Sequence, residues 1–245
     1  MRFLLQHGKN YCSCESLYMD DTSLNSVKAL IFDLGGVVID IDFSNVFMRW
    51  ADDSNRSIEE IQSKFSYDHV YEAHERGEID SQEYFNSLRE TLGIDISDQQ
   101  FEDGWNSIFK GEVPGISEFL QRAKEKVPIY AFTNSNRAHQ KVWSQKFSET
   151  LSHFHDVFNS SDIGKRKPEP EAFQIVADSI GLEFHQMIFY DDSIDNIIGA
   201  RKVGLNAVHV KSVLDIEESF KDIFRRLLAH PTRRSQRGSG SIPRK

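Results

Sequence analysis

Cysteine is almost absent from this chain. Its 245 residues include two, Cys12 and Cys14. That is too few for a four-ligand zinc site, and one intervening residue brings them too close for an easy disulfide. Such usage points to a reducing compartment. Long apolar runs are missing as well, so the sequence offers no transmembrane helix. The opening M-R-F-L-L-Q-H-G falls far short of a secretory apolar region. The expectation is a cytoplasmic protein with no membrane partner. Basic residues are outnumbered, 29 against 38 acidic ones, for a formal charge of −9. This argues against a general nucleic-acid binder. An anionic small-molecule substrate would have to be captured locally, by a metal or by a few cations.

What is present suits a folded enzyme. Hydrophobic residues make up 39% of the chain, enough for one large core or one core with a smaller inserted module. Residues 1–27 read as a polar N-terminal extension and 230–245 as a basic, flexible tail. Between them, short apolar strands alternate with helical stripes. The strands are Val27–Asp33, Val127–Phe132, Asp156–Asn159, Met187–Tyr190 and Ala207–Val210. The alternation predicts an α/β fold, a doubly wound, mainly parallel sheet covered on both faces. Residues 44–109 break the pattern. They read as a helical insertion, with Tyr84, Phe85, Leu88 and Leu92 on one helix and Phe101, Trp105, Ile108 and Phe109 on another. No strand is expected within it, and residues through Asp40 and Asp42 are expected to loop. The predicted core is therefore 28–43 with 110–229.

Three strands end in reactive residue types. Ala29–Phe32 stops at Asp33 and two glycines, the second reaches Thr133 and Asn134, and Met187–Tyr190 ends in Asp191 and Asp192. Ligands of open α/β sheets bind beyond the carboxyl ends of the strands, near the switch in strand order, so these residues are expected to meet. Each also has an ordinary structural use. The aspartates would cap the next helix, Thr133 and Asn134 would make a turn, and Lys167 would be solvated beside Lys165 and Arg166.

Four segments, F-D-L-G-G-V-V, A-F-T-N-S-N, G-K-R-K-P-E-P and F-Y-D-D-S-I-D-N, occur in an order that resembles the signature motifs of the haloacid dehalogenase superfamily. The resemblance covers roughly residues 28 to 212. Ile31–Phe43 together with H-E-R-G-E-I at 74–79 looks most like its α-D-glucose-1-phosphate phosphatase branch. It implies a Rossmann-like core with an all-helical cap. It also implies a magnesium-dependent phosphatase for a small phosphorylated metabolite such as a sugar 1-phosphate.

The chemistry is coherent. Asp33 would be the nucleophile that forms an acyl phosphate, with Thr133 and Lys167 contacting the phosphoryl oxygens. Asp33, the Gly35 carbonyl and Asp192 would hold Mg2+, with Asp191 as an extra or outer ligand. Asn134, His74, Arg76 and Arg137 are candidates for substrate binding. Gly35 departs from the family pattern, because phosphatases of this kind usually carry a second aspartate there as general acid and base. Its loss puts about 10²- to 10⁴-fold of rate in question. An acidic anomeric leaving group would tolerate that loss best, and Asp42, His74 and Glu75 are the candidate substitutes. Two alternatives stay open: a phosphate-binding regulatory protein of the same fold, and a metal-free 2-haloacid dehalogenase.

Overall fold

A computed structural model describes residues 26–229. The tail at 230–245, and the N-terminal extension up to residue 25, lie outside the described residues. A five-stranded parallel sheet forms the centre. Its members are β1 (Ala29–Phe32), β4 (Ile129–Thr133), β5 (Val157–Asn159), β6 (Met187–Asp191) and β7 (Asn206–His209), in the order β5-β4-β1-β6-β7. The strand nearest the N-terminus is thus the middle one. Leu30 pairs with Ile129 on one side and Ile188 on the other, so the strand order switches direction at β1.

Strand alternation divides β1 between two cores. Leu30 and Phe32 pack with Phe119, Leu120 and Ile216, whereas Ala29 and Ile31 pack with Phe173, Val176 and Ile197. The first face is covered by α6 (Ile116–Lys124), α7 (Arg137–Lys146), α8 (Ser148–Leu151) and α12 (Val213–Ala229). The second is covered by α10 (Pro170–Ile180) and α11 (Ile194–Lys202), with the short α9 (Ser160–Ile163) following β5. Burial on both sides explains why β1 and β6 are continuously apolar up to their terminal aspartates.

The insertion folds as five helices: α1 (Phe43–Ser54), α2 (Ile58–Lys64), α3 (His69–Glu75), α4 (Ser81–Leu92) and α5 (Asp98–Asn106). Asp42, Ser57, Asp68, Asp80 and Ser97 cap their N-termini through side-chain oxygens. Their apolar faces form a separate cluster around Trp50, Phe85, Phe101 and Trp105. Trp50 donates to the Phe101 carbonyl at 3.1 Å. A methyl group at Gly104 would meet Trp50 Nε1 at 2.3 Å, so α1 and α5 approach across bare backbone.

The insertion rests on a hairpin that the sequence pattern did not reveal. β2 (Ile39–Ile41) pairs antiparallel with β3 (Phe109–Glu112), with a bulge at Asp40/Ile41. The segment expected to loop is therefore a strand. Phe109 belongs to β3, and the helix expected to carry it ends at Asn106. Two short strands whose pairing spans the whole insertion leave no local period to detect.

Candidate active site

Asp33 is the first residue past β1, yet its N–H still bonds the Tyr190 carbonyl at 2.8 Å. That bond keeps its main chain in sheet register while the chain turns away through Gly35 and Gly36. The Asp33 side chain is 12% exposed. Its Oδ1 accepts from the Leu34 N–H at 2.7 Å and lies 2.9 Å from Lys167 Nζ. Lys167 is completely buried and also donates to Asp191 Oδ2 at 2.7 Å and the Phe132 carbonyl at 2.8 Å. All three ammonium donors are thereby used.

Burial raises the Asp33 carboxyl to about 7; Lys167 opposes the rise, and Asp191 and Asp192 add to it. Burial also disfavours the Lys167 ammonium, but Asp191 and then Asp33 outweigh it and hold the group above its ordinary value. The nearby carboxyl groups thus favour the charged lysine more than burial disfavours it.

Asp191 is fully buried and saturated. Its oxygens accept from Lys167, from the Ser193 N–H at 2.8 Å and from Asn196 Nδ2 at 3.1 Å. Asp192 is exposed and has no such set of donors. Although the residue is exposed, its carboxyl is partly desolvated, and that, with Asp191 beside it, raises the group. One oxygen from each of Asp33, Asp191 and Asp192 lies within 4.8 Å of the others. Three carboxylates thus share one ammonium. The excess negative charge and the all-oxygen donors fit a hard divalent cation.

Thr133 ends β4 and is buried. The Asn134 amide is engaged elsewhere than expected: it donates to the Lys167 carbonyl and accepts from the Lys167 N–H, both at 2.8 Å. It clasps the main chain of the buried lysine. A cleft of about 590 Å³ opens beside this clasp; its lining includes Asn134, Arg166, Lys167, Pro168, Ser193 and, from the insertion, Glu72. On the other side of Asp33, a methyl group at Gly35 would lie 3.0 Å from Ile41 Cδ1. The hairpin therefore fills the space beside Gly35 with an apolar group.

The remaining expected residues divide. His74 and Arg137 meet in a small cavity of about 120 Å³, with Asp80 and Ser81. The His74 ring stacks 4.3 Å from Tyr84, bonds Ser81 Oγ at 3.1 Å and is pushed by burial to about 4, which keeps it neutral. Arg76 is not part of that cavity's lining. It is bound to Glu72 at 3.0 Å and Glu169 at 2.6 Å. Asp42 caps α1, and its bonds with Ser44 lower its carboxyl, a poor setting for a general acid. Glu75 is buried and bound to Arg166 at 2.8 Å; burial raises its carboxyl, with Arg166 opposing. Two partnerships escaped the sequence reading. Asn196 supports Asp191, and Arg166 bridges to the insertion. Only the motif quoted through Asn196 carried any hint of the first.

Known proteins place this architecture. The D-ribitol-5-phosphate phosphatase of Bacteroides thetaiotaomicron is 20% identical over 195 residues, covering 77% of this chain and 94% of that one. The sesquiterpene phosphatase astK of Aspergillus oryzae is 26% identical, covering 76% and 91%. The drimenol cyclase drtB of Aspergillus calidoustus is 24% identical over 81% of this chain, which spans only 37% of that longer protein. Among solved structures, a HAD family enzyme from Bacteroides thetaiotaomicron in complex with magnesium and inorganic phosphate superposes with a TM-score of 0.66. It is 28% identical, over 76% of this chain and 95% of that one. The family model described as haloacid dehalogenase-like hydrolase matches residues 27–204. With its central carboxylate, buried lysine and paired aspartates on that fold, the chain belongs to the haloacid dehalogenase-like hydrolases.

Proposed function

We propose that this chain is a magnesium-dependent phosphatase that hydrolyses a small phosphorylated metabolite through a phosphoaspartate on Asp33. The observation that carries the reading is the cluster at the switch point, where Asp33, Asp191 and Asp192 converge around buried Lys167. A relative crystallised with magnesium and inorganic phosphate supports it.

In this reading Asp33 attacks phosphorus in line, forming a P–O bond as the bond to the leaving oxygen breaks. Thr133 contacts an equatorial oxygen, and Lys167 passes the donor it now gives Asp33 to the phosphoryl group as that carboxylate becomes esterified. Water then cleaves the acyl phosphate, releasing inorganic phosphate and restoring the carboxylate. Asp33, the Gly35 carbonyl and Asp192 would hold the cation, with Asp191 behind them. When bound, magnesium supplies positive charge that offsets repulsion between the phosphate and the carboxylates. His74 and Arg137, sharing one cavity, would read the organic part of the substrate.

Gly35 and Ile41 bear on the substrate. An apolar group beside Gly35 donates no proton to a departing alkoxide, which favours leaving groups that need little help. A sugar 1-phosphate, as in the glucose-1-phosphate phosphatase branch, meets that condition. The same feature supports a second reading, a protein that binds phosphate and turns over little. The carboxylate cluster weighs against a metal-free dehalogenase, because its charge would lack a counterion.

The test is phosphate release from a panel of sugar phosphates and other small organic phosphates, with magnesium or with chelator. Metal-dependent release favouring sugar 1-phosphates is the expected result. Silence across the panel from folded, magnesium-binding protein would move the assignment to the regulatory reading. Chelator-insensitive halide release from 2-haloacids would move it to the dehalogenase.

A further inference from the structure

Arg166 stands next to the buried lysine but turns its side chain the other way, into the helical insertion. Its Nε donates to Glu75 Oε2 at 2.8 Å and its Nη1 to Glu72 Oε1 at 3.0 Å. The insertion reciprocates. Arg76 donates to Glu169 on the core at 2.6 Å and to Glu72 Oε2 at 3.0 Å. Glu72 is thus shared by two guanidinium groups, one from each side. The two arginines are 18% and 20% exposed and the Glu75 side chain is 7% exposed, so solvent screens these pairs less than ordinary surface ones.

The core side of this network is rigid. Asn134 clasps both main-chain groups of Lys167, and Pro168 packs so tightly on Gly199 that a methyl group there would meet Pro168 Cβ at 2.6 Å. Arg166 therefore projects from a fixed base. The insertion side is equally specific. Ser160 Oγ donates to the Glu75 carbonyl at 2.7 Å, and Gly77 lies against the Ser161 carbonyl. Forked guanidinium bonds tolerate little displacement, and a lysine cannot reproduce them.

We infer that Arg166 is a positioning residue, a latch that registers α3 of the insertion against the catalytic lysine's loop and so sets how the insertion, with its substrate-reading His74, sits over the core and its Arg137. This rests on the phosphatase reading for its kinetic consequence but not for its structural one. Glu72 and Arg166 both line the cleft beside Lys167, so loosening the latch moves a wall of that cleft. The chemistry at Asp33 is left intact.

The experiment compares wild type with Arg166→Gln and Arg166→Lys. Amide hydrogen exchange is followed at 69–76 and, as a reference, in β1 and β6. Exchange at 69–76 is expected to rise on the order of tenfold in Arg166→Gln with the reference strands unchanged. Arg166→Lys should give an intermediate value and serves alone if Arg166→Gln does not fold. Kinetics use acetyl phosphate, too small to reach the insertion, and the best organic phosphate of the panel. For the organic phosphate kcat/KM is expected to fall about 10- to 100-fold, mostly in KM, while acetyl phosphate changes less than about threefold. Unchanged exchange at 69–76 overturns the inference, as do equal losses on both substrates. A wild type silent on both substrates strikes the phosphatase reading instead, and the exchange measurement then decides the latch by itself.

Discussion

The carboxylate of Asp192 rests directly on Gly36: a methyl group there would lie 2.3 Å from Asp192 Oδ2, and Gly36 has φ +77. Both facts demand glycine. Gly36→Ala should displace the carboxylate and raise the magnesium concentration needed for half-maximal activity by about tenfold or more, a change of about 1.4 kcal/mol in binding per decade. A magnesium titration by calorimetry and by activity checks this. An unchanged midpoint would remove Asp192 from the metal site.

Replacing the nucleophile should separate chemistry from folding. Asp33→Asn keeps the size of the side chain and leaves Lys167 its bond to Asp191 at 2.7 Å. Phosphate release should fall by at least about 10³-fold, with the far-ultraviolet spectrum and melting temperature close to wild type. Near-normal turnover would exclude Asp33 as nucleophile.

Lys167 should matter to stability as much as to catalysis. Lys167→Met leaves Asp33 and Asp191 buried without their cation. Stranding one side of a buried ion pair costs about 3–5 kcal/mol. Urea unfolding at neutral pH in the presence of chelator measures it, and a loss below about 1 kcal/mol would mean that the pair is worth no more than a surface one.

The seam between core and insertion should be acid-sensitive. His139 stacks 4.7 Å from Trp105 and donates from Nε2 to the Trp105 carbonyl at 3.1 Å, while Asn136 Nδ2 faces its Nδ1 at 3.2 Å. The ring is neutral, and burial pushes it from 6.5 down to about 3. Unfolded chains take up a proton below about 6.5 that the folded protein refuses, so this group's stabilisation is lost as pH falls from about 6.5 towards 3. The slope reaches about 1.4 kcal/mol per pH unit. Urea unfolding between pH 4.5 and 6.5 should show a shallower pH dependence for His139→Gln than for wild type.

The apolar filling beside Gly35 can be reversed. Gly35→Asp alone must push Ile41 Cδ1, 3.0 Å from the new Cβ, aside; pairing it with Ile41→Val makes room. The double variant should gain about 10²-fold on alkyl phosphates and much less on sugar 1-phosphates, measured as relative kcat. Equal gains on both would show that proton donation is not what limits the native protein.

The central strands were legible because burial on both faces writes itself as uninterrupted apolar residues, and their aspartates stand out against that background. The convergence of Asp33, Lys167, Asp191 and Asp192 was legible because their motifs fall at strand ends or beside a proline. The hairpin of β2 and β3 was not, since each strand is short and its partner lies across the insertion. Nor was the fate of Asn134 and Arg76. Sequence gives a polar residue near a site but not the direction of its side chain, and here both are spent on neighbours, Lys167 and Glu169. Likewise, nothing around Arg166 distinguishes a solvated cation from one held by two glutamates.

The central position of β1 has a cost during synthesis. Both of its neighbours, β4 and β6, follow the whole insertion in the chain. When Ala29–Phe32 leaves the ribosome, neither partner strand yet exists, and the apolar central strand of the future sheet waits unpaired. Such long-range parallel pairing folds slowly and exposes aggregation-prone strands meanwhile. The helical insertion, whose apolar cluster is built almost entirely from residues 43–109, is placed to fold first. The strand that bears the nucleophile is completed only when β6 arrives, so the reactive centre is among the last parts of the molecule to be assembled.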